Sequence, residues 1–233
     1  MKNTLFNAAM ALLFGFIGAG IWSYSGLADA RTKSYLMGNP QILPEMAEAF
    51  QKQETRGRLT EVADEVMTAF PGAVMGNPNG SKVLVEFSDY NCGFCQKSHG
   101  DVTKLIAEDP EVKVVMRELP IFDGSEDAAR MSLAAAKQGL YTEFHAQMFK
   151  MSPANAETAR AAARAAGMDM AKAEADAKSP EVDLELVRSR DLAQALGFSG
   201  TPSWVVTGNA FEGAVGFDGL KEALDEAGSN ADS

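Results

Sequence analysis

The stretch Lys82-Val-Leu-Val-Glu-Phe-Ser-Asp-Tyr-Asn-Cys-Gly-Phe-Cys95 decides the fold. Its opening, Lys82 to Phe87, is a short apolar run with β-branched residues, the mark of a buried strand. Cys92-Gly93-Phe94-Cys95 follows at once and opens a run, Gly93 to Glu108, that reads as a helix. Val112-Lys-Val-Val-Met116 is a second strand, closed by Pro120. A strand, helix, strand series of this length implies a parallel pair joined by a crossover helix, hence an α/β fold.

The cysteines stand where the strand gives way to the helix. Disulfide exchange needs a thiolate, and the unpaired amides and dipole at a helix amino terminus stabilise negative charge. Three-residue spacing on a helix brings the second sulfur within reach of the first. Cys92, at the helix end, is expected to be the exposed, attacking thiol. Cys95, one turn deeper, is expected to be buried and to resolve the mixed disulfide. A static bridge between them would close too small a loop to add much stability. A closed zinc site would need a second pair of ligands; the chain has two cysteines and two histidines, His99 and His145, and no second Cys-x-x-Cys. No metal and no cofactor is therefore expected, and His99 reads as a polar helix residue.

Two further positions bear on the thiols. Glu86 is an acid in an otherwise apolar strand, six residues before Cys92. Val83, Val85 and Phe87 alternate onto one face and leave Leu84 and Glu86 on the other. Glu86 either turns to solvent or lies buried beneath the dithiol, where desolvation would raise its pKa and let it exchange a proton with Cys95. Gly200-Thr201-Pro202 precedes a strand, Pro202 to Thr207. The proline is either trans at a strand start or cis, and a cis bond would turn the Thr201 amide and carbonyl toward an extended client peptide. Gly93 and Phe94, between the sulfurs, complete the expected client-binding set with Thr201 and Pro202.

Outward from this centre, Ser125 to Ser179 is Ala-rich and helical without a strand signal. It reads as an inserted all-helical subdomain over about 123–180. Glu181 to Leu196 is a further helix, ended by Gly197. Ala210 to Val215 makes a hairpin with the strand before it, and Asp218 to Ala227 is the last helix. Residues 34–72 read as an amino-terminal helical extension. Ile42, Leu43, Met46, Ala47 and Phe50 fall at helical spacing, as do Leu59, Val62, Val66 and Phe70, with polar Gln51 to Arg58 interrupting the stripe. Such an amphipathic extension either packs back on the domain or self-associates through residues 34–70.

The first 30 residues stand apart. Lys2 is followed by no charge from Thr4 to Ala28, and Ala28-Asp29-Ala30 has the small-x-small form of a leader cleavage site. The segment reads as a signal peptide or an uncleaved membrane anchor, and places the rest in the periplasm or cell envelope. Hydrophobic residues make up 46% of the 233 and charged residues 23%, the balance of a globular domain. The net charge of -11 argues against nucleic acid as a partner.

Together, the strand with Glu86, Cys92-Gly93-Phe94-Cys95 at a helix start, the helical block and Gly200-Thr201-Pro202 resemble the DsbA family of thiol-disulfide oxidoreductases over about residues 80–227. Val85 to Cys92, and Gly139-Leu-Tyr141 through Phe144-His145, are similar to its Com1-like and ScsC-like branch; Tyr35 to Glu54 is similar to the ScsC amino-terminal segment. The resemblance implies a thioredoxin-like fold, Cys92 as nucleophile, a buried acid at Glu86 and a cis bond at Pro202. Strong oxidants of the family carry Pro-His between the cysteines, where histidine supports the thiolate; here Gly93-Phe94 stands instead. The expected activity is to form, reduce or isomerise disulfides in exported proteins. The expected membrane redox partner is a quinone-linked oxidant or a transmembrane reductant. The alternative, drawn from ScsC-like relatives, is copper binding or copper protection at the dithiol.

Overall fold

The computed structural model describes residues 10–20 and 27–231. The chain divides into two compact units, 1–51 and 52–233. In the first, residues 10–20 are helical (α1), α2 spans Leu27–Gly38, and α3 begins at Ile42 after a turn closed by Ile42 N–H to the Asn39 carbonyl (3.1 Å). Tyr35, Met37, Leu43, Met46 and Phe50 are exposed here. Part of the expected leader, residues 1–9 and 21–26, lies outside the described residues. Ala28-Asp29-Ala30 falls inside α2. Among the described residues no helix is long and apolar enough to cross a membrane, so the anchor reading gains no support.

Polar Gln51 to Arg58 interrupts the apolar stripe, as read from the sequence, without breaking the helix: α3 runs from Ile42 to Met67. A gap in the apolar stripe ends a buried face, not a helix, because Gln, Lys, Glu and Arg are good helix formers. Within that run Glu54 and Arg58 pair one turn apart at 3.6 Å. The stretch 34–72 is thereby shared between the units. Leu59 and Val66 are buried in the second unit against Val85, Phe87, Val115, Leu192, Leu196 and Val205.

The second unit is built on a five-stranded sheet in the order β1-β3-β2-β4-β5: Val74–Gly76, Val112–Glu118, Lys82–Ser88, Ser203–Val206 and Asn209–Glu212. β2 and β3 are parallel, as the crossover helix α4 (Gly93–Glu108) requires, and the remaining pairs are antiparallel. Strand alternation sorts the core. Leu84, Val114, Met116, Trp204 and Val206 pack with α4 and with α10 (Gly216–Ala231). Val85, Phe87, Val115 and Val205 face α3 and the end of α9 (Pro180–Leu196). β1 was not anticipated: three residues between the turn signals Pro71-Gly72 and Asn77-Pro78 carry no periodicity of their own.

Between β3 and α9 lie α5 (Ser125–Lys137), α6 (Tyr141–Met148), α7 (Ala156–Ala165) and α8 (Met170–Asp176), close to the helices read from the sequence. Asn155 caps α7 in a capping box with Thr158, and the Asp169 side chain caps α8. Alanines 128, 134, 135, 159, 162, 163 and 173 fill the interior with Met131, Phe144 and Met148, small side chains letting the short helices approach closely. Tyr90, Cys92 and Cys95 belong to this same cluster, so the dithiol sits on the seam between sheet and helical insertion. The arrangement is a thioredoxin-like α/β fold with an inserted helical subdomain and helices at its amino terminus.

One buried ion pair ties α3 to this body. Arg117 of β3 meets Glu185 of α9 at 2.6 Å, with side chains 0% and 3% exposed. The same guanidinium donates to the Glu65 and Thr68 carbonyls, both at 2.5 Å, at the end of α3. Removing one partner leaves an uncompensated buried charge. Arg117→Ala should lower unfolding stability by about 3–5 kcal/mol in chemical denaturation. The paired replacement Arg117→Met with Glu185→Leu should recover much of it.

Candidate active site

β2 delivers Glu86 and Ser88 to one end of the sheet, and a three-residue turn then places Cys92 as the amino-terminal cap residue of α4, with extended dihedrals (φ -84°, ψ 114°). Asp89 organises the turn. Its backbone carbonyl accepts from the Cys92 amide (3.1 Å). Its buried carboxylate accepts from the amides of Asn91 (2.7 Å), Ile121 (2.7 Å) and Phe122 (3.0 Å) and from the Ser125 hydroxyl (2.5 Å). Asn91 donates to the carbonyls of Asp123 (2.9 Å) and Ala154 (3.0 Å) and accepts from the Ala154 amide (2.7 Å). These two side chains bind the cysteine turn to the start of α5 and to the loop before α7. The sequence reading passed over both; the signal was a polar Asp-Tyr-Asn between a buried strand and a helix.

Both cysteines are free thiols. Cys95 has no exposure, as expected, but Cys92 retains only 4% rather than standing exposed. The loop before β4 covers it: the Cys92 thiol donates to the Thr201 carbonyl at 3.1 Å. The Thr201–Pro202 peptide bond is cis, the second of the two forms open on the sequence. Gly93 and Phe94 are exposed, Phe94 by 64%, so the rim around the buried sulfur is apolar. The structure thus brings Cys92, Cys95, Thr201 and Pro202 together with Gly93 and Phe94. Among the described residues no group of three or more His, Cys, Asp or Glu side chains could hold a metal ion.

Glu86 is buried, which removes the solvent-facing reading. It is 1% exposed, between Met116 of β3 and Trp204 of β4, and neither carboxyl oxygen has a hydrogen-bond partner. Burial pushes its pKa up to about 8; the nearby Ser88 hydroxyl works against the rise and the Glu118 carboxylate adds to it. Burial likewise pushes the Cys95 thiol up, opposed by the Asp89 backbone and the Thr201 side chain and reinforced by Glu86 and Cys92. Each group thus disfavours charge on the other. Glu86 is mostly protonated at neutral pH, and its ionised fraction, which grows as pH rises through about 8, can accept a proton leaving Cys95.

Residues 83–225 match the DSBA-like thioredoxin domain. The chain belongs to that family. Residues 31–56 match the amino-terminal domain of the copper resistance protein ScsC. Among solved structures, a thioredoxin-like oxidoreductase from Silicibacter pomeroyi DSS-3 is 40% identical, with a TM-score of 0.68, covering 71% of this chain and 97% of that one. The thiol-disulfide exchange protein alpha-DsbA2 of Wolbachia pipientis is 25% identical, with a TM-score of 0.69, covering 75% and 96%. A linker-deleted mutant of Proteus mirabilis ScsC shares the fold at 22% identity and a TM-score of 0.70, covering 88% and 95%. Curated relatives include a Na(+)/H(+) antiporter NhaA of Herminiimonas arsenicoxydans, 32% identical over 145 residues, 60% of this chain and 23% of that one. The chain spans about a quarter of the length of the curated relatives it matches, and the antiporter activity in their names stays with those proteins.

The buried acid of this DSBA-like domain has a consequence for stability. Its folded pKa is raised above its unfolded value, so the protonated form favours folding. That contribution is complete below about pH 4.5 and is lost as pH rises through about 8. Thermal unfolding from about pH 5 to about pH 9 should show the parent losing stability toward the alkaline end, and Glu86→Gln losing less of it.

Proposed function

We propose that the protein is a thiol-disulfide oxidoreductase acting on exported proteins through Cys92 and Cys95. The observation that carries the reading is a helix-terminal sulfur, a fully buried second sulfur and a buried, unpaired acid near enough to disfavour charge on that second sulfur. Cys92, at the amino terminus of α4, exchanges with a client disulfide. The Thr201 backbone and Pro202 receive an extended client segment, which displaces the Cys92 thiol from the Thr201 carbonyl; Gly93 and Phe94 contact its flanks. Cys95 then attacks the Cys92 sulfur of the mixed disulfide, and Glu86 takes its proton. The same steps in reverse form a disulfide in a client.

The leader-like residues 1–30 favour work in the periplasm or envelope, with a membrane redox partner, quinone-linked oxidant or transmembrane reductant, restoring the dithiol. The exposed Tyr35, Met37, Leu43, Met46 and Phe50 favour self-association through residues 34–70. A second reading, copper held by the two soft thiolates, draws on the match of residues 31–56 to a copper resistance protein's domain. Cu(I) titration of the parent against Cys92→Ser tests it: equal binding excludes the dithiol as the site.

Two variants test the leading reading. Cys92→Ser should lower insulin disulfide reduction by roughly a hundredfold or more. Cys95→Ser should keep the first attack and accumulate a mixed disulfide at residue 92, seen as an adduct by mass spectrometry. Full turnover by Cys95→Ser, without adduct, would overturn the assigned order of the thiols.

A further inference from the structure

Beside Glu86 the structure buries a second acid that the scheme above leaves without a role. Glu118 ends β3, directly across from Ser88, and is 2% exposed. Its Oε1 accepts from the Tyr141 hydroxyl (2.7 Å) and, more weakly, from the Tyr90 hydroxyl (3.4 Å). The Tyr90 hydroxyl lies 2.9 Å from Nδ1 of His145. The His145 ring stands edge-on to that of His99, with centroids 5.0 Å apart, and His99 is only half-buried. At the inner end, both oxygens of Glu86, the Ser88 hydroxyl and Oε2 of Glu118 are buried without partners. Four unpaired polar atoms at the ends of two neighbouring strands are rare in a folded core, and Glu86 among them disfavours ionisation of the deeper thiol.

We propose that Glu118 is a second, positioning acid in the resolving step, held by the Tyr141 and Tyr90 hydroxyls on the strand beside Glu86 so that Glu86 keeps the proton released by Cys95. The inference rests on the reading of Glu86 given above. In the step itself, the Cys95 sulfur attacks the Cys92 sulfur of the mixed disulfide. The Cys92–Cys95 bond forms, the Cys92–client bond breaks, and the client sulfur leaves as a thiolate with the electron pair. The client disulfide is reduced, the enzyme dithiol is oxidised, and the Cys95 proton remains on Glu86. Glu118 is a positioning residue here: it does not touch the reacting sulfurs, but as a like charge it keeps the Glu86 carboxyl basic.

The surroundings of the pair support the assignment. Facing it are Cys95 from α4, Asp89 from the cysteine turn, Ser132 from α5, and Tyr141 and His145 from α6, with Tyr90 between. Burial pushes Glu118 up to about 7, with Asp89 adding and the Tyr141, Ser132 and Tyr90 hydroxyls opposing. The two acids therefore titrate within reach of one another. Burial also keeps His145 far below its ordinary value, so it stands neutral beside the Tyr90 hydroxyl. Lys150 and burial hold His99 down as well. Arg117, next along β3, is taken up by Glu185 and by the carbonyls of α3 on the other face of the sheet.

The test is pre-steady-state. The reduced full-length protein, mixed with a symmetric aromatic disulfide, releases two coloured thiolates, the second marking the resolving step. Its rate in the parent should rise with pH along a limb near the Glu86 value of about 8. In Glu118→Gln the like charge is gone, so the limb should move to lower pH by on the order of half a unit, while Glu118→Asp keeps it in place. A Glu118→Gln profile that superimposes on the parent's overturns the proposal. Glu86→Gln separates the two failures. A limb that survives in Glu86→Gln defeats the reading of Glu86 itself. A limb lost there but unmoved in Glu118→Gln defeats only the role of Glu118.

Discussion

An acid and a thiol buried in the same dry space, with the charge of each raising the cost of charge on the other, is the constraint around which this domain is arranged. Glu86 and Cys95 both lie under the sheet end, and both are shifted upward chiefly by burial. Neither can ionise freely, so a proton lost by the thiol is most cheaply held by the carboxylate. Above them Cys92 occupies the amino-terminal cap of α4, its thiol donating to the Thr201 carbonyl. The difference between the two sulfurs therefore follows from depth along one helix. It needs no auxiliary residue between them, consistent with Gly93-Phe94 in place of a histidine.

The remainder of the fold holds these groups still. The Asp89 carboxylate collects four donors from the cysteine turn, the segment after β3 and the start of α5. Asn91 adds the loop before α7, so the helical insertion is fastened to the sheet beside the thiols. The cis Thr201–Pro202 loop covers Cys92 and accepts its thiol. The hydrophobic seam formed by Tyr90, Phe144, Met148 and Phe149 excludes water from its side. On the other face of the sheet, Arg117 with Glu185 fixes the end of α3, the helix that also carries the exposed apolar residues Leu43, Met46 and Phe50 toward its start.

What could be read from the sequence was local or periodic. The strand with alternating Val83, Val85 and Phe87, the Cys-x-x-Cys at a helix start, and the run of Ala-rich helices each carry their signal within a dozen residues. The family resemblance then favoured the buried form of Glu86 and the cis form of Pro202 over their alternatives. What could not be read depends on distant partners. β1 exists only because β3 offers it an edge. The burial of Cys92 depends on a loop 109 residues away. Asp89 and Asn91 matter through amides and carbonyls of residues 121–125 and 154, and Glu118 through tyrosines and a histidine gathered by three elements. The polar run Gln51 to Arg58 inside α3 shows what periodicity reports: its loss marks where a helix leaves the core, not where it stops.

The account turns on where the Glu86 carboxyl gives up its proton. A side-chain carbon NMR titration of the reduced protein, assigned by comparison with Glu86→Gln, measures this without turnover. The predicted midpoint is close to 8. A midpoint near 4.5, the value of a solvated carboxyl, would contradict the account, because an acid ionised throughout the neutral range has no affinity to offer the proton of Cys95.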